Sequence, residues 1–299
     1  MTDGGVSASS AGAVEARRSA RAAALRRDRI AIEVPDETVI AAIERAKLEL
    51  DRMLDGFAAA GESVARHDAR WRANAALVGL AALAAGDPGG AGRVIDLLHT
   101  RLQPAERVLA EAERDDALFA LLLAQYDAWT GEADPRHPPS GRTAILIALG
   151  EDPDSPVEDS FRRWRTEAES DVAAARTLAV LVHGILGVEP DAARNRVSLH
   201  PRLPSAWDRL HARNVILGDA ALDFRYNREG DRHTLRIEQT RGGLPLRVAL
   251  HLDVPGRALA GAMVDGAAAD LKSESAGGRV VVPVQLILDR PHELETAVL

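Results

Sequence analysis

The apolar periodicity of the chain changes once, at Pro190, and that change limits the folds open to it. Upstream, apolar residues recur every three or four positions, as one buried face of a helix requires. Downstream, they alternate with polar residues, as in strands buried on one side. Val39, Ile40, Ile43, Ala46, Leu50 and Leu54 follow the start signal Pro35-Asp36-Glu37 and predict a first helix running to Gly56. A second is expected from Glu62 to Ala85, stopped by Gly86-Asp87-Pro88-Gly89-Gly90. A third is expected from Ala91 to Leu102, and Pro104 opens a fourth. Asp115 to Trp129 is apolar on almost every side and reads as a buried central helix, stopped by Gly131. Glu132 to Pro139 and Gly150 to Pro156 read as loops around a short helix, Arg142 to Leu149. Val157 to Leu186 predicts one long helix or two abutting ones, closed by Gly187.

Alternation marks strands at Val197–His200, Ala221–Tyr226, His233–Ile237, Leu246–Leu252 and Val280–Leu288. Between them lie the turn signals Arg228-Glu229-Gly230-Asp231, Arg241-Gly242-Gly243 and Asp265-Gly266. Short strands spaced in this way predict an antiparallel β-sandwich. The fold class is therefore α+β: a flexible Arg/Ala-rich tail (1–34), an all-α part (35–192) and a β-sandwich cap (193–299).

Composition excludes several functions. None of the 299 residues is cysteine, which removes disulfides, thiolate metal sites and cysteine nucleophiles. A formal net charge of −8 argues against a general nucleic-acid binder. No run approaches the ~20 apolar residues of a membrane span, and arginines rather than an apolar core follow the N-terminus, so no secretory signal is expected. The twin arginine Arg17–Arg18 has no apolar stretch behind it, and the expected location is the cytoplasm.

The first thirty residues set six arginines, Arg17, Arg18, Arg21, Arg26, Arg27 and Arg29, against only Asp3, Glu15 and Asp28. This is read as a solvated tail with a nascent helix over 16–29; the alternative is a basic arm touching an acidic partner, an anionic membrane surface or nucleic acid.

At Leu199 the text becomes specific. LHPRLPSAW (Leu199 to Trp207) followed by NVILGDAALDFRY (Asn214 to Tyr226) resembles the C-terminal junction of bacterial six-hairpin glycosidases of the glycogen-debranching and α-glucosidase-like type. GILGVEPDA (Gly184 to Ala192) resembles the glycine-terminated last helix of such an (α/α) toroid. QYDAWTGEAD (Gln125 to Asp134) and AALAAGDPGGAGRVIDLL (Ala81 to Leu98) are similar to its inter-helix connections. The resemblance implies a helical toroid part joined to a small β cap, with Pro201, Pro204 and Trp207 at the junction. There the prolines stiffen an extended crossing, and Trp207 is a packing anchor rather than a sugar platform.

The departures from that family carry as much weight. Inverting hydrolysis needs an acid and a base about 6.5–9.5 Å apart across a walled pocket. Pro35 to Leu186 leaves room for only about half of the ring of helices that the resemblance implies, and the family's acid loop and base segment have no residue-by-residue counterpart. Aromatic residues make up 3% of the chain.

Glu167 and Asp171, four apart on an expected helix, are the carboxylate pair to test if the chain is active. Ion pairs with Arg163, Arg165 and Arg176 explain them adequately and are the preferred reading. His67-Asp68 with Arg70 and Trp71 reads as a polar helix stripe, His137 as a solvated loop residue, and His183 as a hydrogen-bonded core histidine. The nine histidines show no HxxxH or HExxH spacing, so no metal is expected, and no glycine-rich phosphate loop points to a cofactor. The expectation is a non-catalytic, glycosidase-derived scaffold binding a protein partner or, alternatively, a glycan. The rival is a glycoside hydrolase acting on α-linked glucosides.

Overall fold

Asp36 and Gly187 bracket the helical part of the chain, each for a local reason. Asp36 Oδ1 accepts the backbone N–H groups of Thr38 at 2.9 Å and Val39 at 3.4 Å, satisfying donors that a helix start leaves open. Gly187 adopts a left-handed φ of 63°, which ends the last helix without the penalty a Cβ would bring.

The computed structural model describes residues 29–59, 69–101, 114–131, 142–151, 155 and 171–299. The architecture is α+β, with six α-helices among the described residues followed by two β-sheets. The helices are α1 (Glu37–Ala59), α2 (Ala69–Ala84), α3 (Pro88–Arg101), α4 (Arg114–Thr130), α5 (Arg142–Ala148) and α6 (Asp171–Val180). A buried π-helical turn, Leu181–Ile185, continues α6. α1 buries Val39, Ile43, Ala46, Leu50 and Leu54, the stripe its spacing predicts, and runs past Gly56, which does not take the left-handed φ that would stop it.

The central helix is α2, not α4. Every residue from Ala75 to Ala85 is buried, whereas α4 leaves Ala117 and Ala120 exposed. Small side chains decide this: a Cβ on Gly79 would lie 2.6 Å from Leu122 Cδ2, so α2 can approach α4 closely only with glycine there. α4 carries the larger apolar side chains, but the Ala/Gly-rich helix is the one that others can surround.

The strands are β1 (Ala31–Glu33), β2 (Val188–Asp191), β3 (Arg196–Leu199), β4 (Arg209–Leu217), β5 (Ala220–Glu229) and β6 (Arg232–Arg241), then β7 (Arg247–Pro255), β8 (Leu259–Val264), β9 (Ala267–Ala268), β10 (Glu274–Ala276), β11 (Arg279–Ile287) and β12 (His292–Val298). One sheet has the order β1-β4-β5-β6-β12-β8-β9 and the other β10-β11-β7-β3-β2. The pairings are antiparallel except β3 with β7, which is parallel. Here the architecture departs from a purely antiparallel sandwich. After β3 the chain crosses to build β4, β5 and β6 in the other sheet, and a return by so long a connection permits parallel pairing.

Residues 29–34 depart from the expected flexible tail. Ile30, Ile32 and Val34 are buried, β1 pairs antiparallel with β4, and the Ile30 N–H donates to the Ala85 carbonyl at the end of α2. This short segment ties the helical part to the seven-stranded sheet. A three-residue alternation behind an Ala/Arg run is too short to register as a strand signal.

At the junction the His200 N–H donates to the Gly187 carbonyl at 3.0 Å and the Arg202 N–H to the Ile185 carbonyl at 2.8 Å. A Cβ on Gly187 would meet the His200 carbonyl oxygen at 2.2 Å. Gly187→Ala is therefore expected to destabilise the chain by more than about 2 kcal/mol, read as a lower urea midpoint, because both steric room and φ are lost. Gly230→Ala, with open space but the same φ class, should cost less.

Candidate functional site

Strand alternation sorts the residues of the seven-stranded sheet into two faces. Leu210, Ala212, Phe224, Tyr226, His233, Leu235 and Ile237 turn inward and are buried. Arg209, His211 and Arg213 of β4 turn outward, as do Asp223, Arg225, Asn227 and Glu229 of β5. β6 adds Arg232, Thr234, Arg236 and Glu238, and β12 adds Glu293 and Glu295. Register aligns these groups in rows. His211 lies opposite Arg225, Arg225 opposite Arg236, and Arg236 opposite Glu293. The next row runs Arg209, Asn227, Thr234, Glu295 and Met263.

Two recesses open on this sheet. One of about 440 Å³ is lined by Asn227, Glu229, Arg232, Thr234, Gly261, Met263, Glu295 and Ala297, with His233, Ala262 and Thr296. Small residues at Gly261 and Ala297 leave the space. The other, of about 230 Å³, is lined by His211, Asp223, Phe224, Arg225, Arg236 and Glu238. Five arginines stand against three carboxylates on the outer faces of β4, β5 and β6, within a chain of net charge −8. Arg213 pairs with Glu33, and Arg236 lies 3.7 Å from Glu238. The side chains of Arg209, Arg225 and Arg232 make no ion pair or hydrogen bond among the described residues. Burial, then the charges of Arg225 and Arg213, hold the His211 imidazole below its ordinary pKa.

Buried polar groups elsewhere serve the scaffold. Arg29, one of the six arginines expected in a solvated arm, is instead 4% exposed. It contacts Asp51 at 2.5 Å and Asp87 at 2.8 Å, joining the N-terminal segment to α1 and to the α2–α3 turn. Arg17, Arg18, Arg21, Arg26 and Arg27 lie outside the described residues, as do Glu167, His67, Asp68 and His137. Asp171 opens α6. Pro201, Pro204 and Trp207 are buried at the junction, which Arg228 and Arg279 clamp by donating to the carbonyls of Ser205 at 2.6 Å and Leu203 at 3.4 Å. Asp253 accepts from Arg279 at 2.6 Å and approaches Arg202 at 3.4 Å. His183 is buried on the π-helical turn, its Nδ1 3.0 Å from the Val188 carbonyl oxygen and its ring edge-to-face with Trp129. Glu151, which sequence reading passed over, is buried against Arg176 at 3.0 Å. Gly150, at a φ of 75°, marks the turn that places it.

Tyr226 and His233 form a buried pair between the sheets, with Tyr226 Oη 2.7 Å from His233 Nδ1. Burial raises the Tyr226 pKa to about 12. Burial, followed by the charge of Arg228, lowers that of His233 to about 4. Both groups are therefore neutral near pH 7, and the phenol donates to the imidazole.

No family model matches the chain, and no curated protein is significantly similar to it. Among the described residues no group of three or more His, Asp or Glu side chains is arranged to hold a metal ion, and no helix is long and apolar enough to cross a membrane.

The His233 shift sets the sign of a pH effect. Between pH 6.5 and about 4 the unfolded chain takes up a proton that the folded chain refuses, so stability falls as pH falls through that window. Urea titrations at pH 7 and 4.5 should differ by about 2 kcal/mol more in the wild-type chain than in His233→Gln, which keeps a partner for Tyr226 but does not titrate. Replacing Arg29 by Met is expected to cost about 3 kcal/mol in the same assay, because two carboxylates are left without their shared cation.

Proposed function

We propose that this chain is a non-catalytic interaction protein derived from a six-hairpin glycosidase, working in the cytoplasm, and that it binds a protein partner through the outer face of its seven-stranded sheet. The observation that carries this reading is the contrast between the two faces. The sheet turns its aromatic residues inward and presents a charged outer face around two recesses, on which Arg209, Arg225 and Arg232 have no ion pair among the described residues.

A sugar-binding face would instead expose aromatic rings to stack on pyranose faces. The three aromatic residues of the β part, Trp207, Phe224 and Tyr226, are 5%, 2% and 1% exposed. Charged side chains on a rigid sheet suit a protein partner better. Electrostatic complementarity sets register and encounter rate there, while the strands hold the groups in place. The arginine content matches the enrichment of that residue at interfaces.

The chain is tagged and purified from its native cell at moderate salt, alongside the charge-reversed variant Arg209→Glu/Arg232→Glu. A protein retained in fixed stoichiometry by the wild-type chain, and at least tenfold less by the variant, supports the reading. Hydrolysis of aryl α-glucosides that disappears in Glu167→Gln or Asp171→Asn overturns it in favour of a glycoside hydrolase. Equal retention by both chains overturns the assignment to this face.

A further inference from the structure

His292, at the start of β12, faces an acceptor at each ring nitrogen. Nδ1 lies 2.8 Å from Asp265 Oδ2, and Nε2 lies 2.9 Å from the Ile287 carbonyl oxygen. A carbonyl oxygen only accepts, and Asp265 is ionised. The Glu293 N–H, donated to it at 2.9 Å, and then His292 and Arg290 hold its carboxyl below the ordinary carboxylate range. A neutral imidazole has one N–H and one lone pair, so it satisfies only one of the two acceptors. Both contacts are made only by the imidazolium, with both nitrogens donating. The His292 side chain is 12% exposed, which leaves little room for water to replace a lost partner.

We infer that His292 and Asp265 form a pH-sensitive clasp, closed while the imidazole carries both protons and opened when it loses one. The clasp joins two turns distant in sequence. Asp265, at a left-handed φ of 53°, opens the β8–β9 turn, and Ile287 to His292 make the β11–β12 connection. β8 has β12 on one side and only the two-residue β9 on the other. Losing the contact at Asp265 therefore frees a turn at the margin of the sheet. β8 also supplies Gly261 and Met263 to the recess of about 440 Å³, so that wall loosens as the clasp opens. None of this depends on what the outer face binds.

The charges around the ring set the direction of the response. Asp265 attracts the charged ring from the β8–β9 turn. Asp289, with Oδ1 3.6 Å from Nε2, attracts it from the β11–β12 connection. Arg290 shares Asp265 Oδ2 at 2.8 Å and repels it. On β6 the Cα partner of His292 is Ile237, and the adjacent Arg236 and Glu238 turn to the outer face, as Glu293 does. The imidazolium contacts are fully present below the titration of the ring and are lost as pH rises through it. The clasp thus weakens toward alkaline pH, opposite in sign to the effect of His233.

Long-range proton–nitrogen NMR of the full chain, labelled at histidine nitrogens and titrated from about pH 5 to 9, tests the clasp. The His292 signals are assigned by their absence in His292→Gln. Asp265→Asn keeps an acceptor for the Glu293 N–H and tolerates the left-handed φ. It should lower the His292 midpoint by roughly one pH unit, whereas Arg290→Gln should raise it. Amide exchange reads the turn through Asp265 and Ala269, whose N–H groups donate to the Glu293 and Ala262 carbonyls. Corrected for intrinsic exchange, their protection should fall at least threefold across the midpoint in the wild-type chain and stay level in His292→Gln.

A midpoint unmoved by Asp265→Asn, or lowered by Arg290→Gln as well, overturns the clasp. Protection that stays level across the midpoint in the wild-type chain overturns it too, and so does protection that falls equally in His292→Gln.

Discussion

The chain turns from helix to sheet within a few residues, and everything downstream depends on how closely the backbone packs there. Gly187 ends the last helix with its Cα against the His200 carbonyl, and the Ile185 and Gly187 carbonyls accept the Arg202 and His200 N–H groups. The segment through Pro201 and Pro204 is thereby laid along the end of the π-helical turn, with Trp207 buried beyond it. Because this corner is packed by backbone rather than by long side chains, it leaves little freedom in the angle between the helices and the sheets. Arg228, Arg279 and Asp253 then brace the segment from the β side.

A second constraint comes from polar groups placed in the interior. A buried cation or phenol costs several kcal/mol unless its partners are held in place. Arg29 between Asp51 and Asp87, Glu151 against Arg176, and Tyr226 on His233 are each so partnered. The first two join segments distant in sequence and the third ties two adjacent strands, so these contacts specify arrangement more than they add stability. The outer face of the seven-stranded sheet is built on the opposite terms. Arg209, Arg225 and Arg232 keep their hydration there, Arg213 and Arg236 pair with Glu33 and Glu238, and the interior rows of Leu210, Phe224, Tyr226 and Leu235 hold the strands that display them.

Much of the candidate surface was legible along the chain. Alternation in Ala221–Tyr226 and His233–Ile237 puts Arg225 and Arg236 on the polar phase of their strands. The Gly230-Asp231 turn joins those strands with Glu229 opposite Arg232, and counting outward from that pair brings the two arginines together. What could not be read was the rest of the neighbourhood. β12, in the last residues of the chain, lies beside β6 and supplies Glu293. Such pairing depends on how remote segments pack, not on local pattern. Arg29 shows the same limit from the other side: it lies in one stretch with five similar arginines, and its burial follows from the position of Asp51 and Asp87 in space.

The sequence alone determined where the described helices lie, five of the strands, and which side of each is wet. Helix period, the Asp36 cap, the glycine stops and strand alternation act over a few residues and need no knowledge of neighbours. Tertiary structure decided the rest. It made α2 the central helix, recruited residues 29–34 into a sheet, set β3 parallel to β7, and enclosed Tyr226 with His233. Those outcomes compare the burial of one distant surface with that of another, and close packing of small residues settles the comparison. A local pattern carries no information about that competition.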